Sequence, residues 1–112
     1  MPTDAATQID QLTQQFFALF TNRDGCAPRL ERIFDLFIEQ GIISKNQGAQ
    51  VEVWNLAQFI APRQALLTNG TLQDFAEEET SHRTTIFGGM ATRLCVYKKS
   101  GVLNGQAFSA QG

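Results

Sequence analysis

The sequence predicts an α+β domain, helices first and an antiparallel sheet after them. Three observations carry this. Apolar residues recur three and four apart through three stretches before Gly70, the mark of helices with one buried stripe. From Thr71 onward, Thr, Ile, Phe, Val and Tyr gather on either side of Gly88-Gly89, a two-residue hairpin turn. The 112 residues leave room for one core, and a 43% hydrophobic content that includes nine Phe is enough to fill it.

Thr3 and Asp4 are the caps of the first helix, whose stripe runs Ile9, Leu12, Phe16, Leu19 and Phe20, widened by Phe17. Gly25 stops it. Pro28 opens a second helix with apolar spacing at Leu30, Ile33, Phe34 and Phe37, closed by Gly41. "IISK" and "VEVWN" read as short strands around an "NQG" turn. Asn55 caps a third helix, "LAQFIAPRQALLTNG", and Pro62 inside it removes a backbone donor, so a kink or a fresh start is expected there.

Pairing across Gly88-Gly89 sets His82 opposite Cys95, Thr80 opposite Tyr97, Glu79 opposite Lys98 and Glu78 opposite Lys99. Strand alternation then puts Glu78, Thr80 and His82 on one face and Glu77, Glu79, Ser81 and Arg83 on the other. "SGVLNGQAF" reads as a loop built on Asn104-Gly105, leading into another strand. No internal repeat or low-complexity segment is visible.

Charge and composition exclude several classes. Eleven acidic and nine basic residues give a net charge of -2, and the longest basic run is Lys98-Lys99, so a nucleic-acid partner has no electrostatic basis. No apolar run has the length of a membrane helix, and the first ten residues lack the basic and apolar regions of a secretory signal. Cys26 and Cys95 form no CxxC pair and read as two free thiols of a cytoplasmic protein. The "DFAEEETSHR" stretch offers one His and no second, a poor metal site, so neither metal nor cofactor is expected. No "GxSxG" occurs, and Gly88-Gly89 is a turn rather than a phosphate loop.

The succession "FFALFTNRDG", "LERIFDLFIEQGIISK", "WNLAQFIAPRQALL", "DFAEEET", "FGGMATRLCVYKKSG" and "LNGQAF" resembles the nuclear-transport-factor-two-like superfamily, and within it the SnoaL-like, ketosteroid-isomerase-like branch. The resemblance spans nearly the whole chain, so residues 1–112 are taken as one domain. It implies a cone: a curved antiparallel or mixed sheet packed against three N-terminal helices, with a pocket inside. It also implies homodimers through the outer face of the sheet. Relatives continue past "AFSAQG" and add a final strand. The chain is therefore expected to be cut short or to complete its sheet with another subunit.

Isomerases of that superfamily use a Tyr on the first helix, an Asp base on the first strand and a second Asp late in the sheet. The matching positions here hold Phe16 and Lys45, and the last falls beyond Gly112. Phe cannot donate to an enolate oxygen, and a protonated Lys is no base, so this chemistry does not carry over. Lys45 reads as a strand-end charge in water, with a desolvated base or nucleophile as the alternative.

His82 is the only His and so the candidate acid–base group. If its face lines the cone, His82, Arg93 and Tyr97 form a polar cluster in an apolar pocket, the usual composition of a ligand site. The alternative is that His82 and Arg93 face solvent or a dimer mate. Trp54, before the third helix, packs under it or stacks on a ligand at the pocket mouth. Arg63 is a helix-surface charge or a clamp for an anionic ligand. Two functions follow: a pocket for a compact apolar molecule, cyclic-ketone- or polyketide-like, or a non-enzymatic association module.

Overall fold

In the computed structural model, which describes residues 4–112, Asp4 starts the first helix by accepting a 2.7 Å hydrogen bond from the Thr7 backbone N–H. That bond holds the Asp4 carboxyl below its ordinary range. The second expected cap, Thr3, lies outside the described residues. Helix α1 (Ala5–Ala18) buries Phe17, with Leu19 and Phe20 buried just after it. A single 3₁₀ turn, Arg23–Gly25, then reverses the chain through positive φ at Asp24 and Gly25.

The second helix is much shorter than its apolar spacing predicts. One 3₁₀ turn (Leu30–Arg32) leads into α2 (Ile33–Leu36), which ends well before Gly41. Phe37 is extended, at φ -119 and ψ 151, and its ring meets Phe16 edge-on at 5.8 Å. Tertiary packing of that ring overrides the helical pattern. Leu30 and Ile33 are fully buried, whereas Phe34, expected in the core, is 53% exposed.

Strands β1 (Ile42–Gln47) and β2 (Gln50–Asn55) form an antiparallel hairpin that is a sheet of its own. Helix α3 (Leu56–Thr68) opens with a reciprocal cap: Gln58 N–H donates to Asn55 Oδ1 at 2.8 Å, and Asn55 N–H donates to Gln58 Oε1 at 2.9 Å. The helix runs through Pro62 without the expected fresh start.

Strands β3 (Leu72–Phe87), β4 (Met90–Leu103) and β5 (Gln106–Gln111) make a three-stranded sheet in that order, antiparallel throughout. No parallel pair is present among the described residues, so the two sheets are antiparallel rather than mixed. Asn104-Gly105 is a tight hairpin turn with positive φ at both residues, not a loop. Among the described residues the fold is thus α+β, with three α-helices and two antiparallel sheets.

Two bulges in β3 change which side chains share a face. Register shifts fall between Gln73 and Ala76 and between Glu79 and Ser81. His82 stands opposite Cys95 as predicted, but beyond Thr80 the pairing differs by one: Glu79 faces Tyr97, Glu78 faces Lys98 and Glu77 faces Lys99. The extra residue at Thr80 absorbs one step of alternation and turns Glu79 and Glu77 onto the face of His82.

The first bulge is tied to the helices by one side chain. Asn22 Nδ2 donates to the Leu67 and Leu72 carbonyls at 3.0 and 2.8 Å, and its Oδ1 accepts from Phe75 N–H at 2.8 Å. Arg23 donates to the Asp74 carbonyl and to the Ser100 hydroxyl. Gly101 is buried against the bulge, where an added Cβ would stand 3.0 Å from the Gln73 oxygen and 3.1 Å from Phe75 Cα. The core joins Leu19, Phe20, Leu30, Ile33, Leu56, Phe59, Leu67 and Phe75, so it lies where α1, α2, α3 and the bulged end of β3 meet.

Candidate functional site

Between the helices and the inner face of the β3–β4–β5 sheet lies a cavity of about 920 Å³, open to solvent on one side. A connected run of aromatic rings forms much of its wall. Tyr97 meets Phe17 at 5.3 Å, Phe17 meets Phe16 at 5.6 Å, Phe16 meets Phe20 at 5.5 Å, and Phe20 meets Phe59 at 6.0 Å. Trp54 continues the run, 6.0 Å from Phe59. These spacings suit edge-on and tilted ring packing. Leu12 and Phe37 also line the space, which explains why Leu12, expected in the core, is partly exposed.

The polar side of the cavity comes from α3 and the sheet. Arg63 lies with its guanidinium carbon 3.7 Å from the Phe59 ring centroid and 5.8 Å from that of Trp54. Its Nη1 donates to the Phe59 carbonyl at 2.9 Å. Burial lowers the Arg63 pKa, with the nearby Glu77 charge working against that. Glu77, on β3 opposite Lys99, has its carboxyl pushed up by burial and pulled back by Lys99 and Arg63. Tyr97 is raised by burial and by the Glu77 charge. A carboxyl shifted upward in an apolar site is suited to hold or pass a proton.

Arg93 reaches the same cavity, yet its donors are taken. Nε donates to Glu79 Oε2 at 3.0 Å and Nη2 to Glu79 Oε1 at 2.5 Å, while Nη1 donates to Asp10 at 2.8 Å and to Thr84 at 3.0 Å. Glu79 is held down to about 2, chiefly by the Arg93 hydrogen bonds. The Cys95 thiol beside them is raised by burial and then by Glu79.

The four predicted site residues therefore separate. Trp54, Arg93 and Tyr97 line the cavity. His82 does not: its side chain is 44% exposed, and its Nδ1 lies 3.2 Å from Glu79 Oε1. Lys45 is exposed at the cavity wall, and Phe16 is one of the wall rings. Arg63, expected as a helix-surface charge or a clamp, lines the cavity and is only partly exposed. Glu77 was missed because simple alternation put it on the outer face. The only hint of the Thr80 bulge in the sequence is a charge pattern that also fits the unbulged register.

Both cysteines are free thiols. Among the described residues no group of His, Cys, Asp or Glu is placed to hold a metal ion, and no helix is long and apolar enough to cross a membrane. Comparison with protein-family models, with curated proteins and with solved structures gives no match.

Proposed function

We propose that this chain is a small-molecule-binding protein whose cavity takes a compact apolar ligand of the cyclic-ketone or polyketide type. The observation that carries the reading is the aromatic wall closed on one side by Glu77, Arg63, Tyr97 and Lys99. An apolar cleft with a few convergent polar groups is the usual form of a ligand site. Glu77 supplies the proton-exchanging group that the superfamily pattern lacks at Phe16 and Lys45. The helices-then-sheet order and the twice-bulged β3 support a nuclear-transport-factor-two-like, SnoaL-like cone.

Trp54 is the sole tryptophan and lies in the cavity wall, so its fluorescence reports occupancy. Titration with compact alicyclic ketones, alcohols and acids is expected to give saturable changes. Thr13→Phe, which fills the wall of the cavity, abolishes them. No saturable response to any of these compounds would end this reading.

A second reading rests on the outer surface of the sheet. Leu94 and Val96 on β4 are exposed there, and Phe87 and Met90 are exposed at the hairpin tip. These residues suit a homodimer or another protein partner. Sedimentation of a monomer at micromolar concentration, unchanged in Leu94→Glu, is the result that excludes the dimer.

A further inference from the structure

The charges facing the cavity are unequal in a way that an apolar wall alone does not require. Lys45 on β1, Arg63 on α3 and Lys99 on β4 line it as cations, whereas Glu77 on β3 is the one acidic side chain among the described lining residues. Arg93 does not enter this balance, because Glu79 and Asp10 neutralise it. Neither Arg63 nor Lys99 has a carboxylate oxygen within 4.0 Å among the described residues. Both side chains are only partly exposed.

Arg63 and Lys99 share one carboxylate, Glu77, with no contact to it within 4.0 Å, so drawing both cations toward an apolar wall carries a hydration cost that this single anion offsets only in part. A bound anion offsets the rest of that cost. The Arg63 plane is already fixed by the Phe59 ring and the Phe59 carbonyl, so its remaining donors are presented without further ordering. Such a fork matches a carboxylate by two parallel N–H···O bonds. Tyr97 lies on the same inner face of β4 as Lys99, and its hydroxyl can add a third donor.

Building on the pocket reading above, we infer that the ligand is an apolar monocarboxylate, with its carboxylate between Arg63 and Lys99 and its body against Phe16, Phe37 and Phe59. This narrows the ligand class from neutral ketones to compact acids, aromatic or alicyclic. Glu77 sits beside the head group, where in protonated form it donates to a carboxylate oxygen and in ionised form it repels one. The charged and titratable groups that face that head group are Lys45, Arg63, Glu77, Tyr97 and Lys99, with Cys95 and the paired Arg93 farther along β4.

The test compares adamantane-1-carboxylate with 1-acetyladamantane, its neutral methyl ketone, by Trp54 fluorescence of the full chain near neutral pH. The acid is expected to bind at least about tenfold more tightly, equivalent to about 1.4 kcal/mol. Lys99→Met and Arg63→Gln should each reduce that preference to less than about threefold, while Lys98→Gln on the opposite face leaves it intact. Should Arg63→Gln fail to fold once its contact with Phe59 is gone, Lys99→Met alone decides the matter. Equal or tighter binding of the ketone overturns the carboxylate inference and leaves the pocket reading standing. A preference that survives in the folded cavity variants overturns it too. A flat Trp54 signal with both compounds overturns this inference, and if it is flat with the wider set of ketones, alcohols and acids as well, the pocket reading falls with it.

Discussion

Glu79 and Arg93 stand fourteen residues apart and form a two-pronged ion pair on the inner face of the sheet, Nε to Oε2 at 3.0 Å and Nη2 to Oε1 at 2.5 Å. The pair exists because the Thr80 bulge turns Glu79 inward. Asp10 from α1 binds the same guanidinium, so the pair also joins the first helix to the sheet. Removing one partner strands the other in a partly buried setting. Glu79→Gln is expected to cost about 1–3 kcal/mol, measured by urea unfolding at neutral pH.

The same pair sets an acid limit on stability. Glu79 is held at about 2, below its ordinary 4.5, so between those values the unfolded chain binds more protons than the folded one. Its contribution is complete above 4.5 and lost as the pH falls toward about 2. Wild type should therefore lose stability over this window more steeply than Glu79→Gln. Parallel unfolding curves for the two would show that the pair contributes nothing.

Glu77 acts in the opposite sense. Burial raises its carboxyl above 4.5, so the folded chain keeps a proton that the unfolded chain has already released. Ionising Glu77 then weighs against folding: stability is highest below 4.5 and declines as the pH rises through the raised value. Glu77→Gln has no proton to lose and removes that decline. The check is the difference in urea midpoint between wild type and Glu77→Gln across mildly acidic to neutral pH, which should grow in favour of the variant as the pH rises.

Period and punctuation made the large elements legible. Ile9, Leu12 and Phe16 mark α1, Asn55 marks the start of α3, and Gly88-Gly89 marks the β3–β4 turn. Nonlocal effects were not legible. Phe37 leaves the helical pattern to pack on Phe16, and nothing near residue 37 in the chain announces this. With the register counted back from the Gly88-Gly89 turn, a bulge shifts by one face every side chain beyond it, so one unforeseen extra residue at Thr80 hid both Glu77 and Glu79. His82 attracted notice as the only His, yet its exposure depends on how far the cavity extends along β3, which no local pattern encodes.

The shortened second helix gives a contrast between neighbours. Leu30 and Ile33 are fully buried, while Phe34 is 53% exposed, although all three fit one apolar spacing. Leu30→Ala and Ile33→Ala are expected to lose about 2–5 kcal/mol each, through lost burial and the cavity left behind. Phe34→Ala should lose less than about 1 kcal/mol, because much of its ring is already in water. Chemical denaturation of the three variants separates this arrangement from a continuous helix over residues 28–41, in which Phe34 would be the costly loss.

Asn22 concentrates the most long-range bonding in one short side chain, since it reaches the end of α3, the start of β3 and the first bulge at once. Asn22→Ala leaves the Leu67 and Leu72 carbonyls and the Phe75 amide without that partner, and water reaches this half-buried site only in part. A loss of about 2–4 kcal/mol is expected. Asn22→Asp keeps the acceptor for Phe75 but sets carboxylate oxygen against two carbonyl oxygens, so at neutral pH it should destabilise at least as much. That order distinguishes a requirement for the amide donors from a mere requirement for volume, because a volume effect would leave the nearly isosteric Asp variant close to wild type. The measurement is the urea midpoint of each variant, with amide exchange at Phe75 as the local readout. Fast exchange at Phe75 in Asn22→Ala and continued protection in Asn22→Asp would locate the lost bonds on the carbonyl side, where Asn22 ties the end of α3 to the first bulge of β3.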